Sequence, residues 1–190
     1  MNNMLDRVVK AAMLDVEFFN EVEMDPSLNQ EALMVVVIVS IISGIGSFIG
    51  GIMGGRFGAA LLGLFTAVIL GVVNYYIWAY LTHIIGSNLF NATSDPGEML
   101  RVLGYASGPR ALSVLSFIPC IGWLVSLGGA VWALVAGFIG VREALDLDTT
   151  ETVITVIIGW VAIMIINLII GGILGLGSLG LGAAGSLLGG

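Results

Sequence analysis

The sequence predicts an all-α fold: a polytopic integral membrane protein with five transmembrane helices and an N-terminal amphipathic helix. Three observations carry this. Hydrophobic residues make up 58% of the chain, charged residues only 10%, and the mean hydropathy is +1.08, which excludes a water-soluble globular domain. Apolar runs of about 20 residues, the length a helix needs to cross a hydrocarbon core of roughly 30 Å, recur along the chain. Arg110 apart, charge is confined to the ends of these runs. Residues 1–31 hold seven acids against Arg7 and Lys10 and so supply most of the formal charge of −7.

The first 31 residues read as a cytoplasmic acidic segment. Between residues 4 and 24, Leu5, Val8, Val9, Ala12, Val16 and Phe19 recur at helical spacing, with Asp6, Lys10, Asp15, Glu17 and Glu21 elsewhere around the turn. This amphipathic helix is too polar to span. Its acidity sets it against an anionic lipid surface, so its apolar face is expected to pack on the protein's own bundle or on a partner. The start, MNNMLDRVVK, has no apolar core or small-residue cleavage site, and no removable signal peptide is expected.

The membrane domain is placed at 32–175. Ser27 and Gln30 stand in capping-box spacing before a first span at about 32–55. A second runs from about 58 to 82 and ends in the aromatic cluster Tyr75, Tyr76, Trp78 and Tyr80, residue types that favour a headgroup boundary. In the loop GSNLFNATSDPGE, Asp95, Pro96 and Glu98 fit N-cap, first and third helical positions, so a third helix begins at Pro96 and runs to Pro119. PCIG turns the chain into a fourth span at about 121–141. Asp148 and Glu151 cap a fifth, ending near Leu174. Residues 176–190 form a glycine- and leucine-rich tail.

Five spans put the termini on opposite sides. Arg7, Lys10, Arg101 and Arg142 fall on the N-terminal side and only Arg56 on the other, which predicts a cytoplasmic N terminus.

Most chemical motifs dissolve on inspection. GLGSLG and GLGAAG in the tail match a dinucleotide-binding pattern, but neither follows a strand nor has an acid about 20 residues on. The NAT triplet at Asn91 falls in a loop expected to be cytoplasmic, so the glycosylation match is read as chance. His83 and Cys120, the single histidine and cysteine, are expected at opposite membrane faces, too far apart for a nucleophile and its base. One cysteine allows no internal disulfide. Glu143, Asp146, Asp148 and Glu151 read as a solvated turn with helix caps rather than a metal cage. No catalytic residue, metal site or cofactor is expected, and no nucleic acid among the partners.

Two features break local rules. Gly46, Gly50, Gly54 and Gly58 recur every four residues, a stripe that serves either close packing inside the bundle or self-association. In LGYASGPRAL, Pro109 removes an amide donor and leaves the Tyr105 carbonyl without its usual partner, while Gly104 and Gly108 loosen the same turn. A kink at residues 105–109 is expected. Arg110 follows it, with no acid inside any span to pair with. Asn74, Tyr75 and Tyr76, at similar depth on the second span, offer acceptors to its guanidinium; snorkelling to cytoplasmic lipid phosphates is the competing reading.

LGYASGPRAL, the following IPCIGW, GVREALDLDTTET and the N-terminal DVEFFNEVEMDPS together resemble the Yip1 domain family, including its short bacterial members, over roughly residues 12–170. The resemblance implies five membrane helices, a cytoplasmic N terminus, no known catalytic residues and a place in a bacterial inner (plasma) membrane. Eukaryotic members of that family act in vesicle traffic by binding prenylated Rab-type GTPases; the Asp-Leu-Tyr-Gly-Pro signature of those members does not occur in this chain. The expected function is therefore that of a non-enzymatic membrane scaffold or adaptor, with the bilayer and a membrane protein or a second copy as partners. The alternative is a small permease or lipid-binding carrier whose small-molecule or lipid site surrounds Arg110.

Overall fold

The computed structural model describes the backbone of residues 3–188 and the side chains up to residue 172. Among these no strand occurs. The chain forms α1 (Met4–Ala12), α2 (Val16–Met24), a 3-10 turn (Pro26–Leu28), α3 (Asn29–Met53), α4 (Phe57–Phe90), α5 (Pro96–Ala106), a long 3-10 helix (Gly108–Phe117), α6 (Gly122–Ala144) and α7 (Thr149–Leu188). Four segments are each long and apolar enough to cross a membrane: Pro26–Met53, Phe57–Phe90, Gly122–Ala144 and Thr149–Gly172. The backbone of the tail continues α7 as far as Leu188, while the side chains of 176–190 lie outside the described residues.

The expected third span is where the count departs from five. Pro109 cannot donate to the Tyr105 carbonyl, and the chain leaves the α-helical ladder just before it. Ser107 N–H still reaches the Leu103 carbonyl, whereas Arg110 N–H bonds to Ser107, three residues back. From Gly108 to Phe117 the chain is a 3-10 helix of ten residues. The predicted kink is thus a change of helix type.

A second departure lies at the N terminus. The single helix expected over 4–24 is two, because Leu14 takes a left-handed backbone at φ 62°. Asp15 then caps α2 through the Phe18 amide. Phe18, Phe19, Val22 and Ala11 are buried in the core, while Leu5, Val9 and Met13 are exposed. The Trp132 indole holds α1 to α6 by donating to the Ala12 carbonyl at 2.7 Å. The Ser27–Gln30 box is also replaced. Asp25 caps the 3-10 turn and accepts from the amide and hydroxyl of Ser27, and α3 begins without a side-chain cap. The boxes at Asp95–Glu98 and Asp148–Glu151 form as their spacing predicts.

At the centre stands α5, with Met99, Arg101, Val102, Leu103, Gly104, Tyr105 and Ala106 all buried. It continues into the 3-10 helix, which lies between α3 and α6. Glycines set this packing. A Cβ on Gly104 would fall 2.7 Å from that of Ala32, one on Gly46 would overlap the Val114 backbone, and one on Gly50 would touch Phe117. From α6, Gly129 and Gly122 approach the Pro109 and Leu115 carbonyls as closely. Contacts therefore run in parallel from Ala32–Gly104 to Gly50–Phe117. Over that stretch α3 rises about 27 Å in about 18 residues, and its neighbour about 25 Å in only about 13, because a 3-10 helix rises ~2.0 Å per residue against ~1.5 Å.

The glycine stripe divides along the same line. Gly46 and Gly50 pack inside the bundle, Gly54 ends α3, and Gly58 has nothing within 4 Å of where its Cβ would be. Gly46→Ala is therefore expected to destabilise by about 1–3 kcal/mol through forced displacement of the Val114 backbone, whereas Gly58→Ala leaves stability unchanged or raises it. Thermal melting in detergent, compared with wild type, checks both.

Candidate functional site

Two polar regions interrupt the apolar bundle: one around the N-terminal end of α5, the other around Arg110. In the first, Arg101 is 3% exposed and its guanidinium reaches three acceptors. Nε donates to the Val22 carbonyl at 3.0 Å, one terminal nitrogen to the Glu23 carbonyl, and the other to Asn29 Oδ1 at 3.1 Å. These carbonyls close α2, where a helix has acceptors without partners, so a planar cation fits them in charge and shape. Sequence reasoning placed Arg101 on the N-terminal side but missed this role. The usable signal was an arginine on the otherwise apolar face of an α5 that opens with a capping box.

One turn deeper, Tyr105 is fully buried, stacks edge-on against Phe18 and donates to Glu31 Oε1 at 2.7 Å. The other oxygen of Glu31 takes Arg7 Nη1 at 2.6 Å. One carboxylate thus ties α1, α3 and α5 together.

Glu23 is the electrostatic exception. Its Oε2 is buried without a hydrogen-bond partner. Burial, then the nearby charges of Asp146, Glu98 and Glu143, push its carboxyl up to about 7, against the opposing pull of Arg101. Asp25 is held below the ordinary range by its Ser27 hydrogen bonds. His83 Nδ1 lies 3.1 Å from Ser94 Oγ and links the end of α4 to the following loop. Among the described residues no group of three or more His, Cys, Asp or Glu side chains is arranged to hold a metal ion.

The residues singled out around Pro109 do not converge. Tyr75 donates to the Leu100 carbonyl at 2.7 Å and packs against Tyr76; Asn74 Oδ1 is buried without a partner; Tyr105 is committed to Glu31. Pro109 is buried, but Arg110 is exposed on the outer face of the 3-10 helix. Its carbonyl accepts from Ser113 at 2.7 Å and Ser43 at 3.4 Å. Among the described residues its guanidinium joins neither of the two salt bridges, Arg7–Glu31 and Arg142–Glu143, nor any hydrogen bond.

A helical bundle with apolar outer faces, polar groups spent on holding its own segments, and four helices able to cross a bilayer defines an integral membrane protein. The Yip1 domain model matches residues 14–188, nearly the whole chain, and the chain belongs to the Yip1 domain family, a non-enzymatic membrane family. Neither curated proteins nor solved structures yield a match.

The polar end of α5 can be probed in two ways. Glu23 gains stability from folding when uncharged, so its contribution is complete below about pH 4.5 and is lost as the pH rises towards about 7. Glu23→Gln is expected to flatten the change in melting temperature over that window, which melting curves at matched ionic strength read directly. Arg101→Met strands the Glu23 carbonyl at roughly 1–3 kcal/mol, while the Val22 carbonyl keeps the Asp25 amide. Limited proteolysis should then cut the α2–α3 connection much faster than in wild type.

Proposed function

We propose that this protein is a non-enzymatic Yip1-family scaffold or adaptor that crosses the bilayer five times, keeps its N terminus in the cytoplasm and binds a membrane partner or organises its local membrane. The observation carrying the proposal is the parallel course of α3 and the α5/3-10 unit. The unit totals about 36 Å at the usual rises, enough for a hydrocarbon core of roughly 30 Å. It starts beside the first turn of α3 and ends beside Gly50, near the Gly54–Arg56 turn. Whatever α3 crosses, its neighbour crosses as well. The fifth crossing is made by two short helices of different pitch, and their broken ladder is sheltered by α3 and α6.

Arg7, Lys10 and Arg142 gather at the N-terminal end and Arg56 stands alone in the far turn, which supports the orientation. The polar side chains of the core cap helix ends or tie segments together, and among the described residues none of them forms a nucleophile with an oriented base; this favours binding over catalysis. The partner is a membrane protein or a second copy, and the membrane a bacterial inner membrane. A second reading, a small permease or lipid carrier, is favoured by the exposed Arg110 on the 3-10 helix.

Cys120, exposed in the turn before α6 and the single thiol, is a built-in probe of the crossing count. A membrane-impermeant maleimide applied to intact cells is expected to modify it; modification only from the cytoplasmic side overturns the five-crossing topology. Native purification followed by mass spectrometry tests the scaffold role. A stoichiometric protein partner or a defined homo-oligomer is expected, and a monomer retaining only a solute favours the permease.

A further inference from the structure

Arg110 sits at a depth its side chain cannot leave. Its carbonyl meets Ser43, which stands about 21 Å along α3 from Asn29 and about 15 Å from Met53. An arginine side chain, shorter than the roughly 11 Å of two helical turns, reaches neither end. An exposed cation held near mid-bilayer without an acceptor is costly, and such residues are retained where they face a polar cavity or a ligand.

The surface beside it is polar. In a 3-10 helix residues three apart eclipse one another, so Arg110, Ser113 and Ser116 form one row. On α3, Ser43 and Ser47 form a second row, four residues apart. The two rows are joined by Ser113 Oγ to Ser43 Oγ at 2.6 Å, and Ser47 Oγ lies 3.5 Å from the Ser43 carbonyl. Ser47 and Ser116 are exposed. On the other side of Arg110, Ser40 is buried and Ser107 donates to the Gly104 carbonyl, so the exposed hydroxyls lie towards the Gly54 turn and Cys120.

We propose that Arg110, with Ser43, Ser47, Ser113 and Ser116, forms a membrane-embedded site for a phosphate group, entered along this hydroxyl-lined seam from the face of the bilayer where α3 ends. A guanidinium supplies charge and a planar pair of donors, and serine hydroxyls supply further donors that rotate to suit, the combination that recognises a tetrahedral oxyanion. An apolar or cationic ligand would leave the arginine unpaired. The phosphate comes either from a phospholipid whose headgroup slides in sideways or from free phosphate in a hydrated crevice. The proposal rests on the five-crossing reading for its depth.

Full-length protein in detergent, stripped of lipid, is titrated with dioleoylphosphatidylglycerol, with dioleoylglycerol as the phosphate-free control, and bound molecules are counted by native mass spectrometry. Inorganic phosphate is titrated separately by calorimetry. One saturable phosphatidylglycerol site, absent for dioleoylglycerol, is expected. Arg110→Gln should weaken it at least tenfold, and the double change Ser113→Ala, Ser116→Ala several-fold, in variants that melt as wild type does. Calorimetric binding of inorganic phosphate, lost in Arg110→Gln, assigns the free anion as a ligand; phosphatidylglycerol binding alone assigns the headgroup. Equal lipid binding by wild type and both variants, or binding of neither probe by wild type, overturns the site. Entry is tested with Ser116→Cys in a Cys120→Ser background: labelling by an impermeant thiol reagent supports a wet seam, and no labelling from either side overturns it. Cys120 labelling in the otherwise unchanged protein reports topology separately, so a wrong topology and a missing site give different results.

Discussion

Pro109 has no amide proton to give, and the arrangement of the bundle depends on that lack. At Ser107 the hydrogen bonds shift from four residues back to three, and the chain lengthens its rise per residue just where it leaves the buried heart of the protein. The thinner 3-10 helix leaves room for α3 and α6 to close in from both sides. The glycines at 46, 122 and 129 are the counterpart of that thinness, since each has the backbone of the 3-10 helix within 2.7 Å of where its own Cβ would stand. Proline sets the pitch and glycine accepts it.

The N-terminal end is organised on a different principle. There the packing is finished by charge: Arg101 closes α2, and Glu31 joins Arg7 to Tyr105. All three elements converge on α5, which has few residues but touches α1, α2, α3, α4 and α6. Buried polar groups of this kind add little net stability but define one arrangement, because each misplaced partner would be left bare. Glu143 Oε1 and Glu23 Oε2 are both buried without a hydrogen-bond donor. Glu23 is buried beside three other acids, and its affinity for a proton rises accordingly.

The sequence made the apolar segments, two of three capping boxes and the break at Pro109 legible, since each rests on local chemistry: run length, a carboxylate three residues from its cap, a missing N–H. What it hid was non-local. The division of 4–24 at Leu14 depends on a left-handed backbone at an unremarkable leucine, and Ser27 was drawn to Asp25 rather than to Gln30 by a turn that only the fold creates. Direction was equally non-local. Asn74, Tyr75 and Tyr76 offer acceptors on the second span, but Arg110 stands on the outer face of the 3-10 helix beside Ser43. Tyr75 meets Leu100 instead.

The broken central segment also bears on how such a chain is made. A helix enters the bilayer from the translocation machinery when its own apolar length suffices, and α3 and α4, joined by a tight turn, meet that condition as a pair. The segment from Pro96 to Phe117 does not, for it is short in each part, interrupted by proline and glycine, and carries Arg101 and Arg110. On the five-crossing reading its entry depends on surfaces already waiting: the Ala32 face for Gly104, and the Gly46 face for Val114. Synthesis order then becomes part of the architecture, with the innermost element seated against an earlier hairpin and enclosed by α6, the next helix to emerge.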